Sequence, residues 1–481
     1  MRQLTALDQQ FLALEDSRQV GHVGGLAILD PSTCPGGQLT LAALQTLLSE
    51  RIHTVPPFRW RLAQVPFDLD YDYWIEDPDF DLDFHLREIG LAPPGTEEQL
   101  AEQVARIFAR PLDRSRPLWE LYLIHGLPEG RVAVMSKIHH AVIDGISGAE
   151  IMGVLYDLDH SGRDVGPVPA VVPKRAPGEL EMLLRGLTGV PRYPLRALAS
   201  LPRALPNIAE VPSLATIPGV ALAGRVANGV QGVLGRRERI VGRRDLRPPR
   251  TSFNGRVSAH RRFVFGQLSL EQVKEIKRRR ACTVNDVVVS VCAGAVRRWL
   301  IEHDELPTDP LVAQIPVSVR TPAQQGTYGN RILLMTAPLF TNEADPVTRL
   351  ALTHEALAEM KERHRALPAA LLQDANQFIP PAVFSRAARL SLGLSSSKRG
   401  RPAWNLVISN VPGPQFPIYL AGARLEANFP ISVITDGMGL NITVMSYRGS
   451  MDFGIVADRE QMPDVRRLLE GLQLEVDALL G

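Results

Sequence analysis

Apolar positions recur at helical spacing over 39–51, 96–109, 270–280, 284–301 and 346–364, and each window predicts an amphipathic or buried helix. Short apolar runs rich in β-branched and aromatic residues predict strands near 73–76 and over 118–125, 131–138, 261–266, 311–316 and 404–408. Two more runs, 440–447 and 451–458, read as a hairpin through Arg448-Gly449-Ser450. Thr283 followed three residues later by Asp286 has the form of a capping box, although Val284, Val287, Val288 and Val291 would also suit a strand.

Helix and strand alternate over 1–160 and again over 258–481, which predicts a mixed α/β (α+β) chain of two domains. Between them, 161–257 is rich in proline, carries Arg236, Arg237, Arg239, Arg243 and Arg244, and shows no clean period; it reads as a partly helical crossover linker. Its apolar residues between Pro191 and Gly235 suit either short amphipathic helices at a lipid surface or a cover for the domain joint. No repeat of about 20 to 50 residues is evident, which disfavours solenoids and propellers.

The chain has 481 residues, 45% hydrophobic and 22% charged, so it can bury real cores and is not a disordered or fibrous sequence. A formal charge of +1 gives no global attraction to nucleic acid, and any basic site must be local. Three cysteines, Cys34, Cys282 and Cys292, have no CxxC spacing and leave an odd thiol, which argues for a reducing compartment without a structural zinc site. Asp8, Glu15 and Asp16 interrupt the apolar run that an export signal would need. The longest uncharged run, 403–423, holds Pro412, Pro414 and Pro417, unlike a membrane-spanning helix. A cytoplasmic protein is expected.

The strongest chemical signal is the segment from Val132 to Gly145, in which an apolar strand ends in His139-His140, with Asp144 and Gly145 following. Adjacent side chains on a strand face opposite ways, so one histidine can act while the other supports. A histidine near its ordinary pKa of about 6.5 suits general-base work on a neutral hydroxyl. Asp144 could orient the loop through an arginine, and Gly145 permits a positive φ or close backbone approach. A metal site at His139, His140 and Asp144 would lack HExxH or a third-ligand spacing. A serine esterase would need GxSxG where 145–149 reads Gly-Ile-Ser-Gly-Ala, and neither a P-loop nor GxGxxG is present.

His139-His140-xxx-Asp144-Gly145 resembles the HHxxxDG signature of the CoA-dependent acyltransferase superfamily, which includes chloramphenicol acetyltransferase, plant BAHD acyltransferases and peptide-synthetase condensation domains. More closely, the chain resembles the bacterial wax ester synthase/diacylglycerol acyltransferase family. Nearly end to end it carries Leu4-xx-Leu7-Asp8-xx-Phe11, His22-Val23-Gly24-Gly25, Pro57 to Leu62, Phe84 to Arg87, Pro117-Leu118-Trp119, Asn285-Asp286 and Ser409 to Pro414. The resemblance implies two chloramphenicol-acetyltransferase-like domains with mixed sheets, and a tunnel between them that reaches the histidine from both faces. It implies acyl-CoA as co-substrate, with no permanently bound cofactor, and diacylglycerol or a long-chain alcohol as acceptor. Peripheral association with the inner membrane face or lipid droplets is left open.

By position, His140 is then the base that deprotonates the acceptor hydroxyl, with His139 and Asp144 supporting the loop. Asn285, at the mouth of a helix, is the candidate oxyanion donor, and Asp286 reads as a cap or ion-pair partner. Pro117, Leu118 and Trp119 read as packing. Ser409 and Asn410 are expected in a strand-end loop near the domain interface. Asp452-Phe453-Gly454 only partly echoes the DFGWG motif of plant relatives, because the Trp-Gly is missing. A carrier-protein-dependent acyltransferase of the same superfamily, or a non-catalytic lipid-binding or droplet protein, are the alternatives.

Overall fold

The structure, a computed structural model, describes residues 1–143, 148–167, 176–189, 246–318, 332–365, 381–397 and 400–481. Asp144 and Gly145, Pro191 to Gly235 and the arginines at 236–244 lie outside the described residues.

In the first half the strands are β1 (Arg2–Gln3), β2 (His22–Asp30), β3 (Trp60–Ala63), β4 (Tyr73–Glu76), β5 (Leu86–Gly90), β6 (Trp119–His125) and β7 (Val132–His139). The helices there are α1 (Ala6–Leu14), α2 (Leu41–Arg51), α3 (Leu82–His85), α4 (Glu97–Phe108), α5 (His140–Ile143), α6 (Gly148–Leu155) and α7 (Glu179–Gly189). In the second half β8 (Arg261–Ser269), β9 (Leu311–Ser318), β10 (Ile332–Leu339), β11 (Leu406–Pro412), β12 (Tyr419–Leu420), β13 (Ala423–Ile431), β14 (Leu440–Tyr447) and β15 (Ser450–Asp458) alternate with α8 (Leu270–Arg280), α9 (Val284–Glu302), α10 (Pro346–Arg365), α11 (Pro381–Ser396) and α12 (Arg466–Leu480).

Two six-stranded mixed sheets carry the fold, in the orders β12-β13-β2-β7-β6-β5 and β10-β9-β11-β14-β15-β8, beside a small sheet β1-β4-β3. In the first, β5 and β6 run parallel and the other pairs antiparallel. In the second, β11 is parallel to both β9 and β14. Strand β7 explains why its sequence hardly alternates in polarity. Val132, Val134 and Ile138 enter one core with Leu121 and Leu123, whereas Ala133 and Met135 enter another with Leu100, Val104 and Phe108 of α4. Both faces are covered, so both parities are apolar.

The C-terminal half does not keep to its own sheet. β13 pairs with β2, placing Phe429 opposite Leu26 and Ile431 opposite Gly24. At this crossing the Asn428 amide donates to Asp452 Oδ2 at 2.8 Å, and a Cβ on Gly454 would stand 1.8 Å from the Pro430 carbonyl oxygen. Asp452-Phe453-Gly454 therefore joins the sheets: the carboxylate satisfies a buried amide, and only glycine admits the crossing strand. Phe263 and Phe265 of β8 share a core with Phe429, Met135 and α4, so one apolar core spans both halves. Each such fully buried side chain contributes about 1.5–3 kcal/mol.

Helix α9 resolves the valine ambiguity. Thr283 Oγ1 accepts from the Asp286 amide at 3.2 Å while Asp286 Oδ2 accepts from the Thr283 amide at 2.8 Å. Every residue from Val287 to Val296 is buried, so the helix is apolar around its circumference and tertiary packing overrides the β preference of valine. Ser409 and Asn410 do not occupy a loop. They lie within β11, opposite Thr443 and Val444 of β14, and pairing continues to Pro412. Among the described residues no helix is long and apolar enough to cross a membrane.

Candidate active site

The end of β7 is pinned on both sides by backbone. The His139 amide donates to the Leu118 carbonyl at 2.9 Å, and the His140 amide donates to the Gly21 carbonyl at 2.8 Å. His139 is the last strand residue and His140 opens the short turn α5, which separates the two rings.

His139 points inward and is buried. Its Nδ1 accepts the Ala141 amide at 3.1 Å, so the ring proton sits on Nε2, which lies 3.1 Å from Glu15 Oε1. The angle there is poor for a hydrogen bond, so the contact is a close polar approach of the ring N–H to the carboxylate. A Cβ on Gly21 would stand 3.0 Å from the same Nε2, so Gly21 keeps this approach open. Glu15 also accepts from the Gly21 amide at 2.6 Å and from Arg114 Nη2 at 2.8 Å. Burial pushes the Glu15 pKa up, but His139, Arg114 and the Gly21 amide outweigh it and hold the carboxyl well below the ordinary range. His22, opposite His139 on β2, is fully buried with Nδ1 3.4 Å from the Phe108 carbonyl. Burial, with Lys137 adding to it, pushes its pKa down to about 3, so it is neutral.

His140 has a different environment. It is half-buried and stacks on Phe11 of α1, with ring centroids 3.9 Å apart and planes 17° from parallel. Its Nδ1 is buried with no hydrogen-bond partner among the described residues. Burial and the adjacent His139 lower its pKa to about 4. This corrects the expectation of an ordinary pKa: a desolvated imidazole resists taking up charge, and the more so beside a second imidazole. At cellular pH the ring is neutral and can accept a proton.

The second half supplies a neutral polar group. Asn285 is half-buried in the first turn of α9, and its Oδ1 accepts from Asn410 Nδ2 of β11 at 3.5 Å. That contact uses Oδ1, so the Asn285 NH2 is the part of the amide that can donate elsewhere. Asp286 turns inward, where it caps α9 and accepts from His354 Nδ1 at 2.7 Å. Ser409 precedes Asn410 on β11 and is half-buried. Asn428 of β13 meets α6, the helix after the histidine motif: its Nδ2 lies 3.3 Å from Met445 Sδ and 3.8 Å from Met152 Sδ. Gly413 in turn packs on Met445.

Pro117-Leu118-Trp119 lies under the histidines. Leu118 supplies the carbonyl that holds His139, and both Leu118 and Trp119 are buried. Trp119 Nε1 donates to the Phe58 carbonyl at 2.8 Å, and its ring stacks between Phe58 and His85 at 5.0 and 4.4 Å. The sequence assigns no site role to Glu15 or Gly21, and it marks His22 only as part of a family motif. The available signal was an acid placed just beyond the end of α1, whose Phe11 already belonged to a motif. No group of three metal-ligating side chains occurs among the described residues.

Two mixed sheets joined by an exchanged strand, with a histidine pair closing a central strand, define a condensation-type acyltransferase fold. The chain superposes on the first condensation domain of the CDA synthetase with a TM-score of 0.55 and 17% identity, covering 100% of this chain and 96% of that one, a likeness of fold. Sequence places it further: the chain belongs to the wax ester synthase/diacylglycerol acyltransferase family, whose catalytic-domain model matches residues 4–288 and whose C-terminal-domain model matches 328–479. It is 32% identical over 482 residues to the O-acyltransferase WSD of Acinetobacter baylyi, covering 100% of this chain and 97% of that protein. It is 35% identical over 484 residues to a Mycobacterium tuberculosis protein named as a diacylglycerol O-acyltransferase, covering 100% and 90%. The wax ester synthase/diacylglycerol acyltransferase structure from Marinobacter aquaeolei VT8 matches with a TM-score of 0.69 and 27% identity over 100% of this chain and 98% of that one.

Proposed function

We propose that the protein is an O-acyltransferase that moves a long-chain acyl group from acyl-CoA to the hydroxyl of diacylglycerol, forming triacylglycerol, with wax ester synthesis on long-chain alcohols as a second activity. The observation that carries this reading is a neutral, half-buried His140, its amide held by Gly21 and that of the preceding His139 by Leu118, in a chain of this family. In the proposed reaction the His140 imidazole takes the acceptor's hydroxyl proton as that oxygen attacks the thioester carbonyl. The Asn285 amide donates to the resulting oxyanion, which would otherwise develop in a poorly solvated site. Collapse breaks the C–S bond, and the CoA thiolate leaves and takes the proton back from His140. His139 and Glu15 act as positioning residues, because they touch His140 only through the backbone they fix.

We divide the chain as 1–160, 161–257 and 258–481, with β12 and β13 returning to the first sheet. Attachment to a lipid surface is supported by Phe67, 82% exposed at a positive φ of 61°, and by Leu180 and Leu184 of α7 and Leu390 and Leu394 of α11, all exposed. Both helices pack against the turn that carries Phe67, and α11 also packs on α1 beside His140. A protein that stays wholly soluble in flotation with lipid droplets would end that part of the reading.

The test of the reaction is CoA release from palmitoyl-CoA with diacylglycerol, hexadecanol or neither, comparing wild type with His140→Ala and identifying the lipid. Acceptor-dependent release that vanishes in His140→Ala supports the proposal. Folded wild-type protein that releases no CoA with any acceptor points to a carrier-protein donor or a non-catalytic lipid binder.

A further inference from the structure

A groove of about 480 Å³ runs between the two halves, along α4 on one side and β8 with the segment after β15 on the other. Ala101 and Ala105 of α4 and Ala109 just beyond it line one stripe at spacings of four, where methyl groups leave the hollow unfilled. Its walls hold six arginines against two glutamates, a formal +4 in a chain whose total is +1. The two acids are already engaged at the rim, Glu102 with Arg106 at 2.6 Å and Glu98 with Arg466. Arg261 is built into the wall: buried, it donates to the carbonyls of Ser258 at 2.7 Å, His260 at 3.2 Å and Arg18.

Three cations remain. Arg110 just beyond α4, Arg262 on β8 and Arg459 just beyond β15 are exposed, line the groove, and have no ion-pair partner among the described residues. They come from three separate elements, so no single helix or loop pattern brings them together. Unpaired arginines gathered in one concavity repel each other, and their planar forks match phosphate oxygens. The volume lies in the range of small-ligand sites. The helix that lines the groove also reaches the histidine cluster: α4 ends at Phe108, whose carbonyl lies 3.4 Å from His22 Nδ1.

We propose that this groove binds a multiply phosphorylated anion of the nucleotide class, and that its ligand in the reaction is the phosphorylated adenosine end of coenzyme A. The identity of the ligand rests on the acyl-CoA reading above; the charge and shape of the site do not.

The experiment is calorimetric binding of adenosine 3′,5′-bisphosphate to the full chain, wild type against R110A/R262A/R459A, with thermal melts and circular dichroism as controls of folding and R262A alone as a milder variant. The expected result is binding by wild type that weakens with salt, and about a tenfold or greater loss in the triple variant, since each removed pair is charge-assisted. The KM for palmitoyl-CoA should rise in step while kcat changes little. Absence of binding by wild type, or equal binding by the folded triple variant, overturns the proposal. Arginine-dependent binding to vesicles of phosphatidylcholine with phosphatidylglycerol, without binding of the bisphosphate, also overturns it and makes the groove a headgroup site. Because the binding assay needs no turnover, bisphosphate binding in a protein that transfers no acyl group would sink the function and keep the groove.

Discussion

The two halves present their polar groups in opposite ways. At the end of β7 a carboxylate is multiply tied beside buried imidazoles: Glu15 takes contacts from His139, the Gly21 amide and Arg114. At the start of α9 the polar group is neutral, half-buried and held by one long contact of 3.5 Å between Asn410 and Asn285. The difference follows from what each would do in acyl transfer. A base must start each cycle neutral and keep its direction while it takes up and returns a proton, which a multiply tied support secures. An oxyanion donor is needed only when charge appears, and an amide at a helix start meets it without the desolvation cost of a fixed cation.

The largest test of this contrast is His140→Ala, which should lower turnover by about 10²- to 10⁴-fold. Its melting temperature should stay close to wild type; parallel loss of fold would remove the separation of base from support. Next comes Glu15→Ala. Glu15 is partly buried and ties the Gly21 amide, His139 and the partly exposed Arg114, so chemical denaturation should show a loss of stability alongside reduced activity. A stable, inactive Glu15 variant would instead bring Glu15 into contact with substrate.

Asn285→Ala should lower kcat by about 10²- to 10³-fold, in the range found for single oxyanion donors, with KM little changed. A change in melting temperature alone would reduce Asn285 to a helix-start residue. The most gradual effect is the acid dependence of stability. His22 and His140 have folded pKa values near 3 and 4, below the unfolded value of about 6.5. The unfolded chain therefore binds more protons below pH 6.5, and the stability present above that pH falls by about 1.4 kcal/mol per pH unit for each histidine as acid is added. Glu15, held low, loses its contribution in the same direction but only below its unfolded pKa of about 4.3. Denaturation at pH 7, 6 and 5 should show the histidine slope, and His140→Ala should lose its share; a flat profile in wild type would contradict the burial of both rings.

Much of the local structure was readable before any tertiary contact. Strand β4 spans 73–76 and α8 spans 270–280, the ranges their patterns predict. Thr96 and Thr283 cap helices in capping boxes, and Arg448 and Gly449 take positive φ in the predicted hairpin turn. These are signals carried within a few residues. The failures are also physical. Pro412 and Gly413 resemble a turn, yet parallel pairing with β14 on one side keeps 409–412 extended, because a proline at a strand's end costs little. An ordinary pKa for His140 was the natural expectation, because burial is not a property of the motif.

What the sequence determined by itself is the set of capped helices and strands, the histidine pair closing a strand, and the family whose motifs recur from Leu4 to Pro414. What only the tertiary structure decided is which distant residues meet: Glu15 with His139, Asn285 with Asn410, and β13 with β2. Periodicity and caps report interactions between neighbours along the chain, whereas burial, and the pKa shifts that follow from it, belong to contacts that exist only once both halves have packed.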